Sequence, residues 1–171
     1  MLRVDLRELA QGPVETRGEL KQDDPALAGL DISLREPVVV SGRLQAISDG
    51  RFYWQGKATT LVQGECRRCL TPVSIPLSLE IGALFTQEAE GQDDPDSYAV
   101  APDATEVDVT RAVREELMLA APRYAVCRED CKGICPQCGK DLNAGACGCA
   151  PVTDARWQPL KALKDKLGSN N

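Results

Sequence analysis

Eight cysteines fall into four closely spaced pairs, Cys66-x2-Cys69, Cys127-x3-Cys131, Cys135-x2-Cys138 and Cys147-x-Cys149, in a chain with no histidine. Two thiolates on one tight turn can converge on a single cation, and a tetrahedral zinc needs two such turns. The third pair lies in Cys135-Pro136-Gln137-Cys138-Gly139, where proline stiffens the turn and glycine admits a left-handed backbone. Cys147 and Cys149 follow a few residues on, flanked by Gly145 and Gly148. Cys135, Cys138, Cys147 and Cys149 are therefore expected to share one zinc. Cys66, Cys69, Cys127 and Cys131 are left for a second, which would staple widely separated parts of the chain. Two other arrangements fit the spacing equally: the tail cysteines mix differently, or Cys66 and Cys69 stay free. An all-thiolate set also suits iron.

The missing histidine removes Ser–His and Cys–His nucleophiles, histidine acid–base chemistry and mixed Cys/His metal sites. The N-terminal run MLRVDLREL has no apolar core of a signal sequence, and no apolar run reaches membrane-spanning length. A cytoplasmic setting is expected, where paired cysteines hold metal more often than they form disulfides. The net charge of −6 is unevenly spread. Residues 80–108 carry acids and no base, whereas residues 120–171 are net basic. A uniformly basic nucleic-acid binder is a poor description of such a chain, so RNA contact would need a local patch. The acidic stretch reads as a solvated loop.

The period of two is clearest between residues 38 and 84. Val38, Val40, Leu44 and Ala46 alternate with Val39, Ser41, Arg43 and Gln45, Asp49-Gly50 offers a hairpin turn, and Phe52, Trp54, Ala58 and Val62 share the next face. Val73, Ile75, Leu77, Leu79, Ile81 and Ala83 continue the pattern, with Pro76 placed on an edge or at a bulge. These predict an antiparallel β-meander. Leu2, Val4 and Leu6 suggest one more strand, and residues 86–106 a mobile connection. A helix is expected where Val109, Ala112, Val113, Leu117 and Ala120 recur at helical spacing, capped by Asp108 or Thr110 and stopped by Pro122. Trp157, Leu160, Leu163 and Leu167 predict a short C-terminal helix carrying Lys161, Lys164 and Lys166. The expected fold is α+β: a sheet-and-helix body over 1–121, a Cys-rich zinc-binding segment over 122–150, and a short basic helix and tail over 151–171.

CRRCLTPV after two strand patterns, then an acidic gap, VDVTRAVREELMLAAP, CREDCKGICPQCGKDLNAGACGC and DARWQPLKAL form a distinctive order of parts. This order closely resembles the YceD family, the large ribosomal RNA subunit accumulation proteins of bacteria and plastids. The likeness runs from about residue 30 to residue 167 and is most specific in CKGICPQCGKDLN. It implies a role in the synthesis, processing or stability of the large-subunit (23S-type) ribosomal RNA and in ribosome assembly. The implied partners are that precursor RNA, a large-subunit ribosomal protein, or both, with no membrane and no small-molecule substrate.

A closed four-thiolate site has no open coordination position, so the expected protein is not an enzyme and its two zinc ions hold structure. Arg67, Arg68, Lys132, Lys140, Arg156, Lys161, Lys164 and Lys166 are the candidate RNA contacts. They read equally as compensation for the thiolate charge and as an ordinary wet helix face. The alternative function is a thiol–disulfide or zinc-regulated redox protein using Cys66 and Cys69, whose thiols Arg67 and Arg68 would acidify. Against it, the motif does not open a helix in a βαβ unit.

Overall fold

The computed structural model describes residues 2–87 and 97–150 together with Arg156. Alternating side chains build most of it. β1 (Arg3–Asp5) leads through a 3-10 turn (Leu6–Gln11) into β2 (Val14–Leu20), and a second such turn (Pro25–Leu27) precedes β3 (Ser33–Leu34). The long strands β4 (Val38–Ser48), β5 (Arg51–Glu65) and β6 (Pro72–Thr86) follow, then β7 (Ser97–Ala99), β8 (Glu106–Asp108) and α1 (Thr110–Ala120). A six-stranded sheet runs β2-β4-β5-β6-β7, with β3 also paired to β5, and β1 pairs with β8 in a separate ribbon. The protein is mostly sheet with few helices, as an α+β reading requires.

β4, β5 and β6 pair antiparallel in chain order, joined at the Asp49-Gly50 turn and by the loop 66–71. Pro76 falls where β6 has no outer strand among the described residues, so its missing N–H costs no ladder bond. Three features depart from the expected sheet. β2 adds an antiparallel strand that Thr16 and Gly18, on its inward face, conceal from hydropathy. β7 joins β6 in parallel, and β8 pairs with β1, so part of the stretch 86–106 is ordered sheet rather than a mobile connection. The third concerns Leu6, which opens the first 3-10 turn instead of extending β1.

One face of the sheet carries the core. Val38, Val40, Leu44, Trp54, Ala58, Ile81, Ala83 and Phe85 pack with Leu2, Val4 and Val107 of the ribbon and with Ala112, Val113 and Leu117 of α1. Ala46, expected on this face, is exposed near the hairpin end. Trp54 is fully buried, and its indole crosses the sheet to donate from Nε1 to Thr16 Oγ1 at 3.3 Å. The ring lies over Gly42 and Gly56, which face each other across β4 and β5. A Cβ at either glycine would stand 2.7 or 2.3 Å from the indole, closer than real carbon contacts allow. α1 starts after Val109, and Asp108 Oδ1 accepts from Thr110 N at 2.9 Å. The helix stops two residues short of Pro122. The expected C-terminal helix bearing Lys161, Lys164 and Lys166 lies outside the described residues, as do residues 88–96.

Candidate metal centres

The loop joining β5 to β6 makes the first thiolate turn. Leu70 N donates to Cys66 O at 2.8 Å, closing Cys66-x2-Cys69 over itself. Cys135-x2-Cys138 closes in the same way, with Gly139 N donating to Cys135 O at 2.9 Å. The residue after the second cysteine is left-handed in both turns, with φ of 62° at Leu70 and 72° at Gly139. Glycine takes this conformation without strain, whereas leucine pays on the order of 1–2 kcal/mol. The loop tolerates the cost because the hairpin strands fix both of its ends.

Beyond α1 the chain returns to this hairpin tip, where Arg67 N donates to Ala125 O at 2.9 Å. That return delivers the second pair. Cys66 Sγ lies 3.8 Å from Cys131 Sγ, and Cys69 Sγ lies 3.6 Å from Cys127 Sγ. Four sulfurs around zinc at its usual bond length stand about 3.8 Å apart, and a disulfide would need about 2.05 Å. All four sulfurs of Cys66, Cys69, Cys127 and Cys131 lie within 4.8 Å of one another, and so do those of Cys135, Cys138, Cys147 and Cys149. All eight cysteines are free of disulfides. Each cluster could hold a metal ion, and the geometry groups the cysteines two pairs at a time without mixing them.

The backbone prepares both clusters for an anion. Burial of Cys66 opposes ionisation, but the amides of Cys127, Cys69 and Arg68 outweigh it and bring its pKa down to about 6. The amides of Cys138 and Gln137 bring Cys135 to about 6 as well. Thr71 lowers Cys69. Thiols facing these anions hold their protons: Cys131 pushes Cys127 up to about 12, and Cys138, with burial, does the same for Cys149. A cation would supply the charge that lets all four sulfurs of a cluster ionise together.

A pH dependence follows with a definite sign. At neutral pH binding must displace protons from Cys127 and Cys149, so affinity falls as protons become more abundant. Below about pH 6, Cys66 and Cys135 take up protons too, and the fall steepens. Calorimetric zinc titration in buffers of different ionisation enthalpy is expected to show proton release at pH 7 and weaker binding at pH 5.5. Equal affinity at pH 8 and pH 5.5 would contradict this ligand chemistry.

The candidate basic residues divide into two kinds. Arg68 Nη1 donates to the carbonyls of Glu129 and Cys131, both at 2.9 Å, and Lys140 Nζ donates to Ala146 O at 3.0 Å. These two hold the loops in place. Arg67 is exposed, with its guanidinium 5.8 Å from the ring centre of Tyr124, itself 75% exposed. Lys132 is exposed beside Cys131, and Arg156 is exposed beyond the second cluster. Sequence reasoning missed Tyr124, which shares this surface with Arg67, although the chain's few aromatics made it visible. Cys66 is fully buried, which denies it the access a thiol–disulfide nucleophile needs.

Residues 54–164 match the family model described as large ribosomal RNA subunit accumulation protein YceD, a span containing all eight cysteines. An uncharacterised protein of Mycobacterium tuberculosis is 30% identical over 141 residues, 81% of this chain and 62% of that one. A maize protein named large ribosomal RNA subunit accumulation protein YCED homolog 1, chloroplastic, is 24% identical over 186 residues, 91% of this chain and 58% of its own. Its Arabidopsis thaliana namesake is 29% identical over 108 residues, 56% of this chain and 34% of its own. The chain thus spans less than two thirds of the length of these curated relatives. No solved structure matches it.

Proposed function

The chain belongs to the YceD family, and from that membership we propose that it is a non-catalytic factor supporting accumulation of large-subunit ribosomal RNA. Two zinc ions shape its docking surface. The observation that carries the reading is the overlap of the family match with both cysteine clusters. The matched span takes in all eight cysteines along with most of β5, all of β6 and α1. Cys66, Cys69, Cys127 and Cys131 would hold one zinc, and Cys135, Cys138, Cys147 and Cys149 the other. A four-sulfur site keeps no position open for substrate, so the ions hold loops in place and leave surface side chains to make contacts.

Arg67, Lys132 and Arg156 are the described candidates for contact with precursor RNA. Arg68 and Lys140 serve the scaffold that presents them. Each four-thiolate zinc carries a charge of about −2, so attraction to RNA must be local to the arginine-rich tip. A large-subunit ribosomal protein is the other partner this reading admits. Among the described residues no helix is long and apolar enough to cross a membrane.

Depleting the protein from its cells is expected to lower mature large-subunit RNA relative to small-subunit RNA, with precursor accumulating. The doubly substituted Arg67→Glu/Lys132→Glu chain should fold normally and yet co-sediment several-fold less with large-subunit precursors. The deficit should be largest at low salt and shrink as salt rises, because each lost phosphate contact flattens the salt response of the residual binding. An unchanged ratio of the two mature RNAs after depletion would end the functional reading. Unchanged co-sedimentation would remove this surface.

A further inference from the structure

One side chain from the second cysteine cluster reaches into the first. Asn143 lies in the loop between Cys138 and Cys147. Its Oδ1 accepts from Lys132 N at 2.8 Å and from Arg128 Nη2 at 2.9 Å. Its Nδ2 donates to Cys131 Sγ at 3.6 Å and to Asp141 Oδ1 at 2.7 Å. Only this orientation of the amide serves all four partners, since reversing it would set donor against donor and acceptor against acceptor. Asp141 Oδ1 also accepts from Asn143 N at 2.8 Å, which fixes where the side chain starts. Asn143 thus touches a sulfur of the first cluster and holds both Arg128, inside its Cys127–Cys131 turn, and Lys132, just after it.

The loop that carries Asn143 is held by hydrogen bonds rather than by an apolar core, among them Leu142 N to Gly133 O at 2.9 Å, Cys135 N to Lys140 O at 2.8 Å and Lys140 Nζ to Ala146 O. No residue from 136 to 150 is buried, and both Gly139 and Gly145 adopt positive φ. A cation shared by Cys135, Cys138, Cys147 and Cys149 would close that loop and set Asn143 in place. We propose that Asn143 couples the two centres, so that metal in the second cluster raises the affinity of the first. Linkage requires the converse by the same factor. The ordering of residues 128–143 is paid once, by whichever ion binds first. A hydrogen bond to a metal-bound sulfur also strengthens the site directly, and losing such outer contacts typically weakens binding by about 10–100-fold.

The inference rests on the metal reading above. It is tested by zinc titration against a chromophoric chelator in four chains: unaltered, Asn143→Ala, Cys138→Ala/Cys147→Ala, and all three changes together. In the unaltered background, removing the second cluster is expected to weaken zinc at the first by about tenfold or more. In the Asn143→Ala background the same removal should change it less than about threefold, within the coupling left to backbone contacts. An undiminished drop with Asn143→Ala, or no drop at all, overturns the proposal while leaving two zinc sites standing. A chain that takes up no zinc overturns both the proposal and the reading beneath it.

Should the cluster-deleted chains fail to fold, Asn143→Ala alone decides. Its two zinc ions should bind with separate affinities, where the unaltered chain fills both together. Cobalt supplies a readout that a purely structural role would not move. Loss of the N–H···S contact should shift the sulfur-to-cobalt band of the first cluster to lower energy in Asn143→Ala and in Asn143→Asp, which keeps the acceptor oxygen. An unshifted band in both variants overturns the assignment.

Discussion

Stripping zinc from the reduced protein is expected to free residues 122–150 while leaving the sheet folded. Between 122 and 150 the buried residues are Cys131, Gly133 and Cys135, two of them cysteines, so no apolar core holds this segment without metal. Ordering backbone costs roughly 1–2 kcal/mol per residue, and nearly thirty residues must be ordered here. Hydrogen bonds contribute a net ~1 kcal/mol apiece, too little to meet that cost by themselves. Structural zinc supplies about 10–16 kcal/mol per site. The buried cluster of the body contains no cysteine, and it survives chelation on its own contacts. Trypsin digestion after chelation should open cleavage at Arg123, Arg128, Lys132 and Lys140. Arg43 and Lys57, inside the paired strands, should stay protected. Restoring zinc should restore protection. Metal-free protein that keeps residues 122–150 protected would show that zinc is not what holds them.

Replacing Trp54 with alanine should cost about 3–5 kcal/mol, as for other buried large-to-small changes. That is a large share of the ~5–15 kcal/mol by which domains are stable. The indole is fully buried and spans three strands, from its own backbone in β5 over Gly42 in β4 to Thr16 in β2. Nothing nearby can collapse into the void, because the residues beneath the ring are glycines. Trp54→Phe should cost less, since a smaller ring leaves a smaller void even though the bond to Thr16 and the indole's cover over the glycines are lost. Gly56→Ala should be destabilising for the opposite reason, since its Cβ meets the indole at 2.3 Å. Urea unfolding followed by far-ultraviolet circular dichroism measures all three. A cost below about 1 kcal/mol for Trp54→Ala would refute this account of the core.

The long strands were legible because one wet face and one dry face impose a period of two, as Val38, Val40 and Leu44 or Phe52, Trp54 and Ala58 show. α1 was legible for the same reason at helical spacing. The strands β2, β7 and β8 were not. Thr16 and Gly18 break the apolar alternation of β2 because the indole of Trp54 wants a hydroxyl partner there and Leu2 crowds Gly18. β7 and β8 are three residues each, too short to carry a period, and exist because β6 and β1 offer them edges. In the site, Leu70 gave no sign of its left-handed backbone. Asn143, an ordinary turn former by type, gave none of its reach to Cys131.

Spacing alone determined that each cysteine pair forms a local turn able to point two sulfurs one way, since a turn of three to five residues is governed by its own backbone. Which turns meet was decided by the tertiary structure. Cys69 and Cys127 are 58 residues apart, and Cys66 and Cys131 are 65 apart. Closing loops of that length has an entropic cost that short-range geometry cannot offset. The antiparallel β5–β6 pair and the helix packed beneath it meet that cost by burying Trp54, Val113 and Leu117. Only then do the two distant turns arrive within one ion's reach.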